Sequence, residues 1–175
     1  MKRKLISNCP ICGEELSQAA RSLKCPRNHS FDLAREGYVN LLLAGPKQRR
    51  RGDNEMMLQA RRRFLGEGHY RPLAEAINER VTRFLRTAVE PDEAIVEAGC
   101  GEGYYLGQLQ ATLEADLPDR AICYFGVDIA RPAVRLAARQ YRNIVFFVAD
   151  LTRKIFLTDA SVQVLLNIFA PLSTA

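Results

Sequence analysis

No apolar run in this chain approaches the roughly 20 residues that span a bilayer. Its basic start, Met1-Lys2-Arg3-Lys4, is not followed by the apolar core of a secretory signal. Those two absences predict a cytoplasmic protein that makes no use of a membrane. An even set of cysteines is also missing: there are five, which in a chain without an export signal argues against a disulfide framework. The third glycine of a dinucleotide fingerprint is absent as well. G-x-G-x-x-G counted from Gly99 requires glycine at position 104, and Tyr104 stands there, so the nicotinamide-cofactor pattern fails. Finally, the front of the chain is short of acid. Residues 1–63 hold 14 Lys/Arg against 6 Asp/Glu, a charge of +8, whereas residues 64–175 carry −3. A basic front suits a polyanionic partner, nucleic acid above all.

What is present begins with ordinary globular composition, 47% hydrophobic and 26% charged over 175 residues. That length holds one domain and a small module. Three of the five cysteines fall within the first 25 residues. Cys9-Pro-Ile-Cys12 is a C-x2-C knuckle followed by Gly13, and Cys25-Pro-Arg-Asn-His29 adds two more ligands twelve residues later. Three thiolates and one imidazole are the closed tetrahedral set of structural zinc, with no position open for a hydrolytic water. So short a segment buries too little to fold alone, so metal binding supplies much of its folding energy. Phe31 and Tyr38 behind it suit either stacking on RNA bases or covering the module, and covering is the expectation.

Pro46 to Gly52 reads as a linker bracketed by breakers, and its Lys47, Arg49, Arg50 and Arg51 match a phosphate backbone. Arg61, Arg62 and Arg63 form a second cluster within one helical turn, and the two are expected to line one RNA-binding groove. Asp53 or Asn54 is placed to cap a helix that Gly66 and Gly68 end. A second helix starts near Arg71-Pro72, with Leu73, Ala76, Ile77, Val81, Phe84 and Leu85 as its apolar face. The chain thus divides into a zinc module (1–45), a basic linker with helices (46–90) and an α/β half (91–175).

That last part is an α/β, Rossmann-like pattern. Strand Ala94 to Ala98 breaks into glycines at alternate positions, Gly99, Gly101 and Gly103, and resumes as a helix at Tyr104. Strand Ile122 to Asp128, helix Arg131 to Tyr141, strand Ile144 to Asp150 and strand Val162 to Ala170 follow. Glu97, Asp128 and Asp150 close three successive strands, and in open α/β sheets ligands bind at those carboxyl ends. Asp128 is placed to grip a ribose diol, and Asp150 to meet the exocyclic amine of adenine.

The spacing Glu97-x-Gly99-x-Gly101-x-Gly103 resembles the first motif of class I S-adenosylmethionine (SAM) methyltransferases. The resemblance extends over essentially the whole chain to the bacterial 23S ribosomal RNA guanine-N1 methyltransferases. It rests on Cys9, Cys12, Cys25 and His29, on Phe31 to Leu42, on Gly52-Asp-Asn-Glu-Met-Met57 with Ala60-Arg-Arg, on Gly68-His-Tyr-Arg-Pro-Leu73, and on Gly99 to Tyr105. It implies zinc in the four-ligand site and SAM at the glycine loop, with Tyr70, Glu102 and Tyr104 joining the loop glycines and acids as cofactor residues. It further implies 23S ribosomal RNA as partner, methylated at guanine N1 of a hairpin loop, and is compatible with a homodimer. Asn167, at the end of strand four, is the candidate for orienting the guanine; no catalytic base is evident. Glu97 stands where aspartate is usual. The family's sheet continues past strand four, so that strand is expected to present an apolar edge. The rival readings are a zinc-dependent RNA-binding protein with a vestigial methyltransferase half, and a small-molecule methyltransferase with an unrelated zinc knob.

Overall fold

Strict alternation along three buried strands builds the centre of the molecule. The computed structural model describes residues 6–43, 55–88, 93–151 and 156–171. The strands β1 (Ser17–Ala19), β2 (Ser22–Lys24) and β3 (Ser30–Asp32) make a small antiparallel sheet. β4 (Tyr38–Asn40), helices α1 (Glu55–Gly66) and α2 (Arg71–Thr87), β5 (Glu93–Ala98) and α3 (Tyr104–Asp116) come next. β6 (Ile122–Asp128), α4 (Arg131–Gln140), β7 (Val145–Val148) and β8 (Val164–Asn167) complete the order. Five strands pair in parallel in the order β4-β7-β6-β5-β8. The expected α/β, Rossmann-like sheet is therefore present, with each predicted strand of the second half in place.

A parallel sheet has to be covered on both faces. Ile95, Tyr124 and Phe146 point to one face and pack with Leu85 of α2, Leu106 and Leu109 of α3 and Val134 of α4. Val96, Phe125 and Phe147 point to the other, and what covers them is the N-terminal module: Ile6, Leu16, Leu23 and the ligands Cys9 and Cys25 share their core cluster. The backbone joins the two as well. Asn8 N–H donates to Phe156 O at 2.5 Å, Thr158 N–H to Ile6 O at 3.0 Å and Leu41 N–H to Val148 O at 2.9 Å.

β4 is drawn from the stretch read as part of the zinc module, yet it lies at the edge of the central sheet beside β7. Tyr38 is buried in the helix-side core, and its hydroxyl accepts a hydrogen bond from Arg131 Nε at 2.9 Å. Phe31 packs against the opposite core. Both aromatics cover protein, as expected, and do not form a base-stacking platform.

The apolar face of α2 differs from its reading in the sequence. Ala74, Asn78, Val81, Thr82 and Leu85 are the buried set, while Leu73 and Phe84 are exposed. A polar residue lies in the seam: Asn78 Nδ2 donates to Thr112 Oγ1 of α3 at 2.9 Å, while its Oδ1 is buried without a hydrogen-bond partner among the described residues. Glu93, expected in a turn, opens β5 instead and is buried in an ion pair with Arg120. At the other edge Leu165 of β8 is 58% exposed, the apolar edge anticipated for strand four. No helix among the described residues is long and apolar enough to cross a membrane.

Candidate cofactor crevice and metal centre

The metal centre is assembled by two turns. Gly13 N–H donates to Cys9 O at 2.8 Å with Gly13 at φ +83°, and Asn28 N–H to Cys25 O at 2.9 Å with Asn28 at φ +62°. These turns bring the ligand atoms of Cys9, Cys12, Cys25 and His29 within 4.8 Å of one another. Individual approaches are 3.5 Å for Cys9 Sγ to His29 Nδ1, 3.4 Å for Cys25 Sγ to the same nitrogen and 3.7 Å between Cys12 and Cys25 Sγ. Three soft thiolates with one imidazole, half-buried and closed, fit zinc in a structural role.

The crevice lies at the carboxyl ends of β5, β6 and β7. Gly99, Gly101 and Gly103 take φ of +73°, +53° and +81°, the left-handed region in which glycine is unstrained. The loop they form is tied to the next strand: Gly101 N–H donates to Asp128 Oδ2 at 2.8 Å, while Ala130 N–H donates to Asp128 Oδ1 at 2.7 Å. Asp128 thereby holds the loop and retains lone pairs for a diol. Asp150 follows β7 by two residues, and the adjoining Ala149 N–H donates to Asp128 O at 3.1 Å, which brings the two strand ends together. Glu97 is only 1% exposed beneath the loop, and its Oε2 accepts the Leu106 N–H of the first turn of α3 at 3.2 Å. Burial pushes its pKa up to about 8, and the neighbouring Asp128 charge adds to the rise, against the pull of the Leu106 amide. Burial likewise raises Glu102, which the charges of Arg62 and Arg61 partly offset.

Aromatic side chains form the next wall. Tyr70, at the start of α2, sits 5.7 Å from Phe64 and 5.6 Å from Phe169, ring centre to ring centre. Tyr104 stacks edge-on with Tyr105 at the head of α3. Asn167 ends β8 opposite Ala98, so it stands beside the first glycine. Beyond it Phe169, at φ +57° and 76% exposed, turns the chain so that Ala170 covers Gly99. The sequence singled out Asn167 but not Phe169 or Ala170; no local pattern marks them, because their role depends on meeting Tyr70 and Gly99. A methyl group on Gly99 would lie 2.3 Å from Ala170 Cβ. Gly99→Ala is therefore expected to cost about 2 kcal/mol or more through left-handed strain and overpacking. Urea unfolding of the variant checks this, and an unchanged midpoint would refute the packing described.

The two arginine clusters fare differently. Lys47, Arg49, Arg50 and Arg51 lie outside the described residues, as do the capping candidates Asp53 and Asn54. Arg61, Arg62 and Arg63 are all exposed on α1, but the first two face the loop region. Arg61 Nη1 lies 3.4 Å from where a Gly101 Cβ would be, and Arg62 Nη2 donates to Gln140 Oε1 at 3.2 Å. A cavity of about 420 Å³ opens between α2 and α3, lined by Arg71, Asn78, Tyr104 and Thr112 among others. It shares Tyr104 with the loop but is lined by none of the three carboxylates, so it is distinct from the crevice.

Residues 7–51 match the family model described as RlmA, N-terminal, a zinc ribbon. A protein of Micromonospora griseorubida with the provisional name 23S rRNA (guanine-N(1)-)-methyltransferase is 38% identical over 93% of this chain and 57% of its own length. The 23S rRNA (guanine(748)-N(1))-methyltransferase of Streptomyces fradiae is 36% identical over 93% of this chain and 55% of its own. The chain thus spans little more than half the length of these relatives. A crystal structure of the plantazolicin methyltransferase BpumL, in complex with a monoazolic desmethylPZN analogue and S-adenosylhomocysteine (SAH), shares 20% identity over 51% of this chain and 33% of its own, with a TM-score of 0.39. The similarity to guanine-N1 methyltransferases read from the motifs is borne out, as is the zinc-ribbon type of the N-terminal module.

Proposed function

We propose that this chain carries the cofactor-binding part of a methyltransferase that modifies guanine N1 in a hairpin loop of cytoplasmic 23S ribosomal RNA. The observation that carries the reading is the convergence of Asp128, Asp150 and buried Glu97 on three left-handed glycines at the ends of adjacent parallel strands. The names of the relatives supply the substrate class. SAM would supply an electrophilic methyl group whose transfer leaves a neutral thioether.

The chain's own part is to hold and orient. Asp128, which already accepts two backbone N–H groups that fix its carboxylate in place, would accept from the ribose hydroxyls. Asp150 would meet the adenine amine, the Gly99–Gly103 backbone would admit the cofactor closely, and Tyr70 would contact it. Asn167, at the mouth beside Gly99, would orient the guanine edge toward the cofactor. The charge excess of the first 63 residues favours approach of the RNA.

Calorimetric titration of the zinc-loaded chain with SAH tests the reading. Binding is expected, and Asp128→Ala should weaken it about tenfold or more, since it removes a charged acceptor and the anchor of the loop. A zinc-loaded chain that binds RNA but takes up no SAH would favour the RNA-binding alternative instead.

A further inference from the structure

The crevice as assembled has a deficit. Its three acids, Glu97, Asp128 and Asp150, suit hydroxyls, an amine and a sulfonium, but none of them complements the one anionic group that SAM and SAH carry, the α-carboxylate of the amino-acid end. A cation facing that group would complement it. The described residues that bring positive charge to the glycine loop come from α1, an element outside the Rossmann-like half.

Three contacts dock α1 on α4. Leu58 is fully buried against Ala130 and Ala133, Arg62 is hydrogen-bonded to Gln140, and Glu55 pairs with Arg135 at 3.7 Å. With Arg62 turned to Gln140, Arg61 lies over the loop. Its Nη1 is 3.4 Å from the position a Cβ on Gly101 would occupy, so the glycine leaves room for a guanidinium to lie against the loop backbone. Glu102, the next residue, is 8% exposed, and its Oε2 has no hydrogen-bond partner among the described residues. Burial raises the Glu102 pKa, and the charges of Arg62 and Arg61 oppose that rise, so the positive charge of α1 is felt at the loop.

We propose that Arg61 is a cofactor-binding residue whose guanidinium pairs with the α-carboxylate of SAM and SAH, so that the basic cluster 61–63 is divided between cofactor and RNA. This rests on the cofactor reading given above. The planar fork of arginine matches a carboxylate through two parallel hydrogen bonds, which lysine does not reproduce. Because α1 follows the linker directly, the same helix would carry Arg63 on its exposed surface toward the RNA and Arg61 toward the cofactor.

The test compares two nucleosides on the zinc-loaded full chain by calorimetry. SAH carries the amino-acid end, whereas 5′-methylthioadenosine keeps the adenosine and thioether but lacks it. Arg61→Gln is expected to weaken SAH about tenfold or more and to leave 5′-methylthioadenosine within about twofold. Arg61→Lys should recover part of the loss. The residue is exposed, so the variants should fold, and a melting curve confirms that. Equal weakening of both nucleosides would make Arg61 a prop for the loop and overturn the proposal. So would unchanged SAH binding accompanied by loss of RNA affinity. A wild-type chain that binds neither nucleoside would instead bring down the cofactor reading, and this proposal with it.

Discussion

Removal of zinc from the Cys9, Cys12, Cys25 and His29 site is expected to melt the parallel sheet together with the ribbon, lowering Tm by roughly 20 °C. The reason lies in the shared core. Cys9 and Cys25 belong to the cluster that buries Val96, Phe125 and Phe147, the second face of β5, β6 and β7. If the two metal turns open, Ile6, Leu16 and Leu23 lose the backbone that presses them on that face, and the sheet is left with one covered side. The edge strand β4 and the Ser7–Leu157 bridge would be released with them. Structural zinc binding is worth about 10 kcal/mol or more in small modules, which exceeds the whole stability of many domains. Hydrogen exchange after chelation is the decisive measurement. Residues 94–98, 123–127 and 145–148 should lose protection in step with 9–29. Retained protection in the three strands would mean that the ribbon folds as an independent unit.

The second large effect concerns Glu97. Its pKa in the folded chain is pushed up to about 8 from an ordinary 4.5, chiefly by burial and further by the Asp128 charge. Between those two values the folded state holds a proton that the unfolded state has released. Stability therefore falls as pH rises from about 4.5 to about 8 and is level above that. Glu97→Gln keeps an acceptor for the Leu106 N–H but carries no charge. It should raise Tm at pH 8.5 by about 5 °C and remove most of the fall across that window. The same substitution should weaken SAM, whose sulfonium and ammonium favour an ionised carboxylate nearby, by about tenfold. In the wild-type chain, binding of the cation should then expel the Glu97 proton, so that affinity rises with pH up to about 8. Calorimetry of SAM binding in buffers of different ionisation heat reads that proton directly. No release at pH 7, or a Glu97→Gln variant less stable than wild type at pH 8.5, would refute this account of the buried acid.

Local spacing by itself determined a large part of this protein. Ligand intervals of two, twelve and three residues define a metal site whatever surrounds them, because chelation needs only short turns. An apolar strand that breaks into Gly99, Gly101 and Gly103, and strands that end on Asp128 and Asp150, define the crevice for the same reason: strand, turn and helix each write a short-range period. Tertiary structure alone decided what those elements meet. Three residues, Tyr38–Asn40, are too few to announce membership of a sheet whose neighbour β7 lies a hundred residues on. That the ribbon covers the second sheet face, that Ala170 closes on Gly99, and that Glu93 finds Arg120 are pairings between distant positions, on which no period bears. The arginine cluster shows the limit most clearly. Charge predicts attraction to an anion, but Coulomb's law does not distinguish an RNA phosphate from a cofactor carboxylate or from Glu102. The docking of α1 on α4, through Leu58 packed with Ala130 and Ala133 and through Arg62–Gln140 and Glu55–Arg135, is what brings Arg61 to the loop.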